Sequence, residues 1–370
     1  MREMYSAARG SGRSFGIRAA VALCGVLVAT LAGLAGGAAQ GQETEEETRK
    51  TAATPPYRAT VVARGLALPW GLDFFPNGDA IVTERDSGRV LRVSPGGKVR
   101  TIQVIPEGGE GEGGLLGVAL APDFAQSREV YAYVSTRRDN RVVVFKPGGT
   151  PRAVFTGIPV GRIHNGGRIA FGPDGKLYIG TGDAGNTALS QQRGSLGGKI
   201  LRINRDGTVP SDNPFGSAVW TYGHRNVQGL AWDGVGRMYA TELGQATFDE
   251  VNRIVQGENY GWPEAEGPSS NPAYRNPLAT FNPDNASPSG ATVYRSNRIR
   301  AWRGDLFFAA LKGERLWRLD RDDRGNVVRK NYLLRGTYGR LRAVEEGPNG
   351  ALWLLTSNGT NDRVVRLSPR

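Results

Sequence analysis

Short apolar runs recur along this chain in one fixed order. A small residue opens an apolar run, and in the copies near Gly71, Gly167 and Ala343 a Pro-Asn-Gly or Pro-Asp-Gly turn follows. A second apolar run ends near Thr or Ser, and a third has the form Arg-Val-Leu-Arg-Val. Copies begin near Gly71, Gly117, Gly167, Gly229, Gly290 and Ala343, at spacings of 46, 50, 62, 61 and 53 residues. GLDFFPNGDAIVTERDSGRVLRV and AVEEGPNGALWLLTSNGTNDRVVRL show the order in full. Alternation in RVLRV and RVVRL places the Arg side chains on one face of a half-buried strand. Pro followed by Asn or Asp and then Gly is turn chemistry. Short strands repeating at this period predict an all-β, six-bladed β-propeller. Such a ring gathers the loops of every blade around one tunnel. The copies leave no room for a second domain, so residues 57–370 are read as one propeller. Pairing of a Tyr57–Ala63 strand with strands of the C-terminal blade is expected to close it, which removes exposed sheet edges.

Helical periodicity is weak, and the strongest apolar run is N-terminal. Ala19–Ala39 follows Arg2, Arg9, Arg13 and Arg18 and ends on small residues. This pattern predicts a secretory signal over residues 1–39, with an uncleaved membrane anchor as the alternative. The single cysteine, Cys24, falls inside that run, so the exported chain has neither disulfides nor thiol chemistry. Residues 40–56, rich in Glu and Thr, read as a disordered linker. The chain is therefore expected to be periplasmic or extracellular, with no stable membrane insertion after cleavage. The net charge of +12 favours anionic ligands. The Arg residues nevertheless alternate along strands instead of clustering with stacking aromatics, which speaks against a nucleic-acid partner.

The chain has only two histidines, His164 in GRIHNGGRIAFGPDG and His224 in WTYGHRNVQGLAWD. Both precede the first strand of a copy, so the two motifs should meet at one end of the tunnel. A lone histidine is more often structural than catalytic. Next, TELGQATFDEVNRIVQGENYGWPEAEG offers Asp249, Glu250, Glu266 and Asn259 on glycine-rich loops, hard oxygen donors that suit calcium. The spacing is not that of an EF-hand, and an ordinary acidic turn is the plain alternative. Lys312, in ALKGERLWRLD, and Arg340 and Arg342, in YGRLRAVEEGPNG, would form an anion site if they meet at the tunnel mouth.

The motifs EGGLLGVALAPDF, HNGGRIAFGPDGKLYIGTGD, LGGKILRI, YGHRNVQGLAWD, DEVN, ENYGWP, LKGERLWRL and GRLRAV occur in that order. In this they resemble the soluble PQQ-dependent sugar dehydrogenases, the glucose/sorbosone dehydrogenase family that includes the aldose sugar dehydrogenases. The resemblance implies a six-bladed propeller, PQQ and calcium as cofactors, a small sugar substrate and an external electron acceptor. It implies oxidation of an aldose at the anomeric carbon to the lactone. By the same resemblance His164 is the general base and Arg225 stands beside the reactive quinone carbonyl, with Asn226 next to it. Lys312, Arg340 and Arg342 would hold the PQQ carboxylates, and Glu112 would lie near the sugar. Backbone carbonyls of Gly244 and Gln245 would hold the calcium next to PQQ, while Asp249, Glu250 and Tyr260 match a second calcium site. Leu243 stands where the family has Gln or His, and Ile163 where its glucose-oxidising branch has Asp. Two other classes remain open on the residues: an exported, PQQ-free propeller that binds a glycan or protein, and a calcium-dependent hydrolase of the lactonase type.

Overall fold

The computed structural model describes residues 55–370; the segment expected to be a signal sequence, with Cys24, and the expected linker as far as residue 54 lie outside them. Six antiparallel sheets of four strands each follow one another along the chain. Their innermost strands are Pro69–Phe74, Leu115–Leu120, Ile169–Phe171, Val227–Trp232, Pro288–Val293 and Leu341–Glu346. Each leads outward through two further strands to an edge strand. In the sixth blade the edge strand is the N-terminal one. Tyr57–Leu66 pairs antiparallel with Asp362–Pro369, with Tyr57 opposite Pro369 and Leu66 opposite Asp362. The ring is thus closed by hydrogen bonds between the two ends of the described chain. The only α-helix among the described residues is the four-residue Phe124–Ser127.

The repeated turn has a specific geometry. In the first blade Phe75 N–H donates to Asp79 O at 2.8 Å and Gly78 N–H to Phe75 O at 2.9 Å. Gly78 takes φ +86°, the left-handed residue that a three-residue hairpin loop needs. The same pair of bonds recurs at Gly172–Lys176 and at Gly347–Ala351. The small residue that opens each copy lies in the innermost strand, or two residues before it in the case of Gly167, where blades approach most closely. A Cβ on Gly117 would sit 2.2 Å from Gly167 O of the next blade, and one on Gly229 would sit 2.6 Å from Ser289 O. Pairing registers slip beside these residues, between Leu115 and Val118 and between Val227 and Gly229. Such bulges bend the strand around the tunnel.

Apolar faces of successive blades pack on each other. Tyr131, Tyr133, Val142 and Val144 of the second blade share a buried cluster with Ile169, Leu177, Ile179 and Leu201 of the third. Two long excursions interrupt the repeat. Residues 181–198 separate the second and third strands of blade three, and residues 255–278 separate the third and fourth strands of blade four. They account for the two longest spacings, and both reach the tunnel end where the loops preceding the innermost strands gather.

Candidate active site

At that end His164 sits in the loop that enters blade three, with a left-handed backbone at φ +56°. A non-glycine residue adopts this conformation only where its surroundings hold it. Two contacts do so. Its N–H donates to Glu112 Oε2 at 2.9 Å, and Glu112 N–H donates to Arg162 O at 2.9 Å. The His164 Nδ1 lies 2.8 Å from Asp183 Oδ1, leaving Nε2 as the ring nitrogen free to act. Asp183 comes from the first excursion. Its Oδ1 also accepts the Gly185 N–H at 2.8 Å, and its Oδ2 accepts the Trp262 indole N–H at 2.9 Å. Trp262 comes from the second excursion. Burial works against ionisation of Asp183, but its bonds to His164, Gly185 and Trp262 outweigh it and hold the carboxyl below the usual range. A carboxylate on Nδ1 fixes the imidazole's orientation and tautomer, as a base requires.

His224 has a different role. Fully buried, it meets Glu242 through Nδ1 at 2.8 Å and Thr221 through Nε2 at 2.9 Å, and it stacks on Tyr260. Both nitrogens are occupied, so it is a structural residue that braces the next loop. That loop carries Arg225 and Asn226. The Asn226 Oδ1 accepts the Gly166 N–H at 3.0 Å and so joins the two histidine motifs. Arg225 lies over the Trp262 ring at 5.3 Å, and its Nη1 donates to Leu243 O at 3.3 Å.

Beside this pair a cavity opens between Trp70, Arg85, Glu112, Asn226, Gln228, Leu243, Arg340 and Arg342. Its chemistry is cationic. The buried Arg342 donates to Gln228 Oε1 at 3.2 Å, and Arg168 Nε donates to Gln228 O at 2.8 Å. Both guanidinium groups face the Trp70 ring, at 5.7 and 4.2 Å. Burial, then the charges of Arg340, Arg168 and Arg85, push Arg342 down to about 9; burial takes Arg168 to about 10. Arg225 Nε, Arg342 Nε and Arg168 Nη2 are buried and have no hydrogen-bond partner among the described residues. Buried donors of this kind are costly unless something accepts from them.

The chain matches the family model for Glucose / Sorbosone dehydrogenase over residues 66–366. The chain belongs to the glucose/sorbosone dehydrogenase family. It is 30% identical to the aldose sugar dehydrogenase YliI of Escherichia coli across 86% of this chain and 95% of that protein. It is 33% identical to quinoprotein glucose dehydrogenase B of Acinetobacter calcoaceticus across 60% and 56% of the two chains. Among solved structures, the PQQ-bound aldose sugar dehydrogenase of Streptomyces coelicolor superposes with a TM-score of 0.79 at 46% identity. It covers 86% of this chain and all of the other.

The remaining residues singled out from the sequence are placed unevenly in this glucose/sorbosone dehydrogenase family member. Arg340 and Arg342 line one cavity, as the Arg-Leu-Arg alternation suggested, with Arg340 at the exposed rim and Arg342 inside. Lys312 lies apart from them: its exposed ammonium pairs with Asp284, while its neighbour Leu311 reaches the cavity. Gly244 and Gln245 sit on a loop over Asp249, whose Oδ1 accepts the Gly244 N–H at 3.0 Å. Burial raises Asp249 to about 6. Glu250 is buried opposite Glu242 in the strand register, and burial and that neighbour push its carboxyl up. Beside it, Asn252 Oδ1 is a buried oxygen with no partner among the described residues. The Tyr260 hydroxyl is already engaged with Arg253 O and the Val255 N–H, so only its backbone carbonyl can serve a cation. No three His, Cys, Asp or Glu side chains converge among the described residues.

Sequence reasoning missed Asp183, Trp262, Gln228 and Arg168. The signal for Asp183 was present: an acidic residue at the end of IGTGD, on an excursion that lengthens its repeat.

Proposed function

We propose that the protein is an exported sugar dehydrogenase that uses PQQ and calcium to oxidise an aldose at its anomeric carbon to the lactone. The observation that carries this reading is a carboxylate-oriented histidine beside an arginine-lined cavity, with buried, partnerless donors on Arg342, which lines it, and on Arg168 and Arg225, which bond to its lining residues Gln228 and Leu243. Repulsion among Arg342, Arg340, Arg168 and Arg85 is relieved by an anion, and a planar tricarboxylate such as PQQ fits both the charge and the open donors. When bound, PQQ supplies the two-electron acceptor for the hydrogen that leaves the sugar.

The protein's own residues do the rest. His164 Nε2 takes the proton of the anomeric hydroxyl, and Asp183 stabilises the imidazolium that results. Arg225 provides positive charge where negative charge develops during the oxidation. Arg342 and Arg340 bind carboxylates, and Asn226 holds the two loops in register. Glu112 fixes the His164 backbone with one oxygen and leaves the other for a sugar hydroxyl. Lys312 would exchange Asp284 for a cofactor carboxylate. Calcium fits the oxygen-rich segment of residues 244–260 twice: at the Gly244 and Gln245 carbonyls beside the cofactor, and at a second site with Asp249, Glu250 and Tyr260, where the partnerless Asn252 Oδ1 is among the available donors. In this reading backbone oxygens and water supply much of its coordination. The N-terminal pattern supports export, and the likeness to the family supports transfer of electrons to an external acceptor.

Titrating the PQQ-free protein, supplied with calcium, with PQQ tests the binding half of this reading. Tryptophan fluorescence should be quenched with saturation. Arg342→Ala should weaken binding by about 2 kcal/mol, the scale of a charge-assisted bond. Absence of saturable quenching in the unsubstituted protein contradicts it.

A further inference from the structure

Glu266 looks from the sequence like one of the oxygen ligands for a cation, and the structure gives it a different task. Its Oε1 accepts the backbone N–H groups of Gln245, Ala246, Thr247 and Phe248 at 2.6, 2.9, 3.0 and 3.3 Å. Successive amides converging on one oxygen form a nest, an anion-binding concavity of the backbone. The remaining N–H of the segment, from Gly244, goes to Asp249 Oδ1. Two carboxylates thus take all five amide hydrogens of residues 244–248.

A trans peptide sets its C=O opposite its N–H. The carbonyls of Gly244, Gln245, Ala246 and Thr247 therefore turn away from Glu266. Among the described residues none of these four oxygens accepts a hydrogen bond. The loop is also drawn tight: a Cβ on Gly244 would lie 1.8 Å from Phe248 O and 2.6 Å from Glu266 Oε1. An oxygen already serving four donors has little left to offer a metal ion, whereas the carbonyls it turns outward have everything left.

We propose that Glu266 is a positioning residue for the cation site. Its carboxylate is a built-in anion that folds the Gly244–Phe248 loop and presents the Gly244 and Gln245 carbonyls to calcium without touching the ion. This rests on the assignment of calcium to those carbonyls under the proposed function.

Calorimetric titration of calcium into the metal-free full chain, without PQQ, tests it. Glu266→Ala should weaken one calcium site by about 10- to 100-fold, the usual effect of removing a partner behind the ligands. Glu266→Gln, which keeps a neutral acceptor, should fall between. Formate at tens of millimolar, against gluconate at equal ionic strength, should refill the nest and restore Glu266→Ala while leaving the unsubstituted protein unchanged. Unaltered calcium affinity in Glu266→Ala overturns the proposal. Weakened binding that formate does not repair also overturns it, because the carboxylate would then matter only for general folding. If the unsubstituted protein binds no calcium, the calcium assignment itself fails and carries this inference with it.

Discussion

One oxygen of Asp183 faces the His164 imidazole and the other faces the Trp262 indole, 2.8 and 2.9 Å away. Substitutions around it should separate orientation from binding. Asp183→Asn removes the charge that steadies the imidazolium, and turnover should fall by roughly 10²-fold or more, within the general-base range. Trp262→Phe keeps an aromatic ring beneath Arg225 but loses the N–H, so kcat should fall by about tenfold, the scale of one hydrogen bond. Because neither residue is assigned to the cofactor carboxylates, PQQ affinity should stay near that of the unsubstituted protein. Steady-state kinetics beside a PQQ titration checks both. A loss of PQQ binding equal to the loss of turnover would show that Asp183 and Trp262 shape the cavity, not the base. The depressed Asp183 carboxyl also has a stability consequence. Its contribution is present above the ordinary carboxylate pKa, about 4, and is lost as pH falls through the lower folded value.

Among the elements, the innermost strands are under the tightest constraint. Gly117→Ala would press a methyl group onto Gly167 O of the neighbouring blade. Overpacking at backbone that cannot swing aside should destabilise by about 1–3 kcal/mol, read by urea unfolding. A value near zero would mean that adjacent blades can separate without cost. The inner strands were legible in the sequence because burial dictates their apolar runs and because, in three blades, a Pro-Asn-Gly or Pro-Asp-Gly turn with its left-handed glycine marks the first hairpin. The outermost strands were not. Val99–Val104 and Arg152–Ile158 are largely exposed, so water does not impose an apolar pattern on them. The N-terminal edge strand was legible as a partner for the last blade because a ring must close, and it runs on to Leu66. The site divides in the same way. Arg340 and Arg342 announced themselves by alternation along one strand. Asp183 and Trp262 meet only because two loops far apart in sequence fold over the same tunnel end, and no local pattern encodes that meeting. The Glu266 nest was illegible for a further reason: its partners are backbone amides, which every residue except proline possesses.

For the molecule as a whole, the tunnel gives the two faces different chemistry. The innermost strands all begin at the cationic cavity and end at the opposite mouth, where Asp73 and Glu345 line the opening. Burial, then the charge of Asp73, pushes the Glu345 carboxyl up to about 8 from an ordinary 4.5. Between those values the folded protein keeps a proton that the unfolded chain has released. Stability therefore falls as pH rises through that window. Glu345→Gln, neutral at every pH, should match the unsubstituted protein near pH 4.5 and exceed it above pH 8, by on the order of 2 kcal/mol. Thermal melts across pH check this, and equal stability at pH 9 would contradict it.

The central claim is that the cationic cavity and the His164–Asp183 pair together oxidise a sugar. Its most direct test is reduction of an electron-accepting dye by the purified protein loaded with PQQ and calcium, screened over aldoses, with His164→Ala compared at equal PQQ occupancy. The account predicts sugar-dependent dye reduction that His164→Ala lowers by about 10²–10⁴-fold while binding PQQ as before. PQQ binding without any sugar-dependent reduction, or a His164→Ala variant that turns over normally, would contradict it.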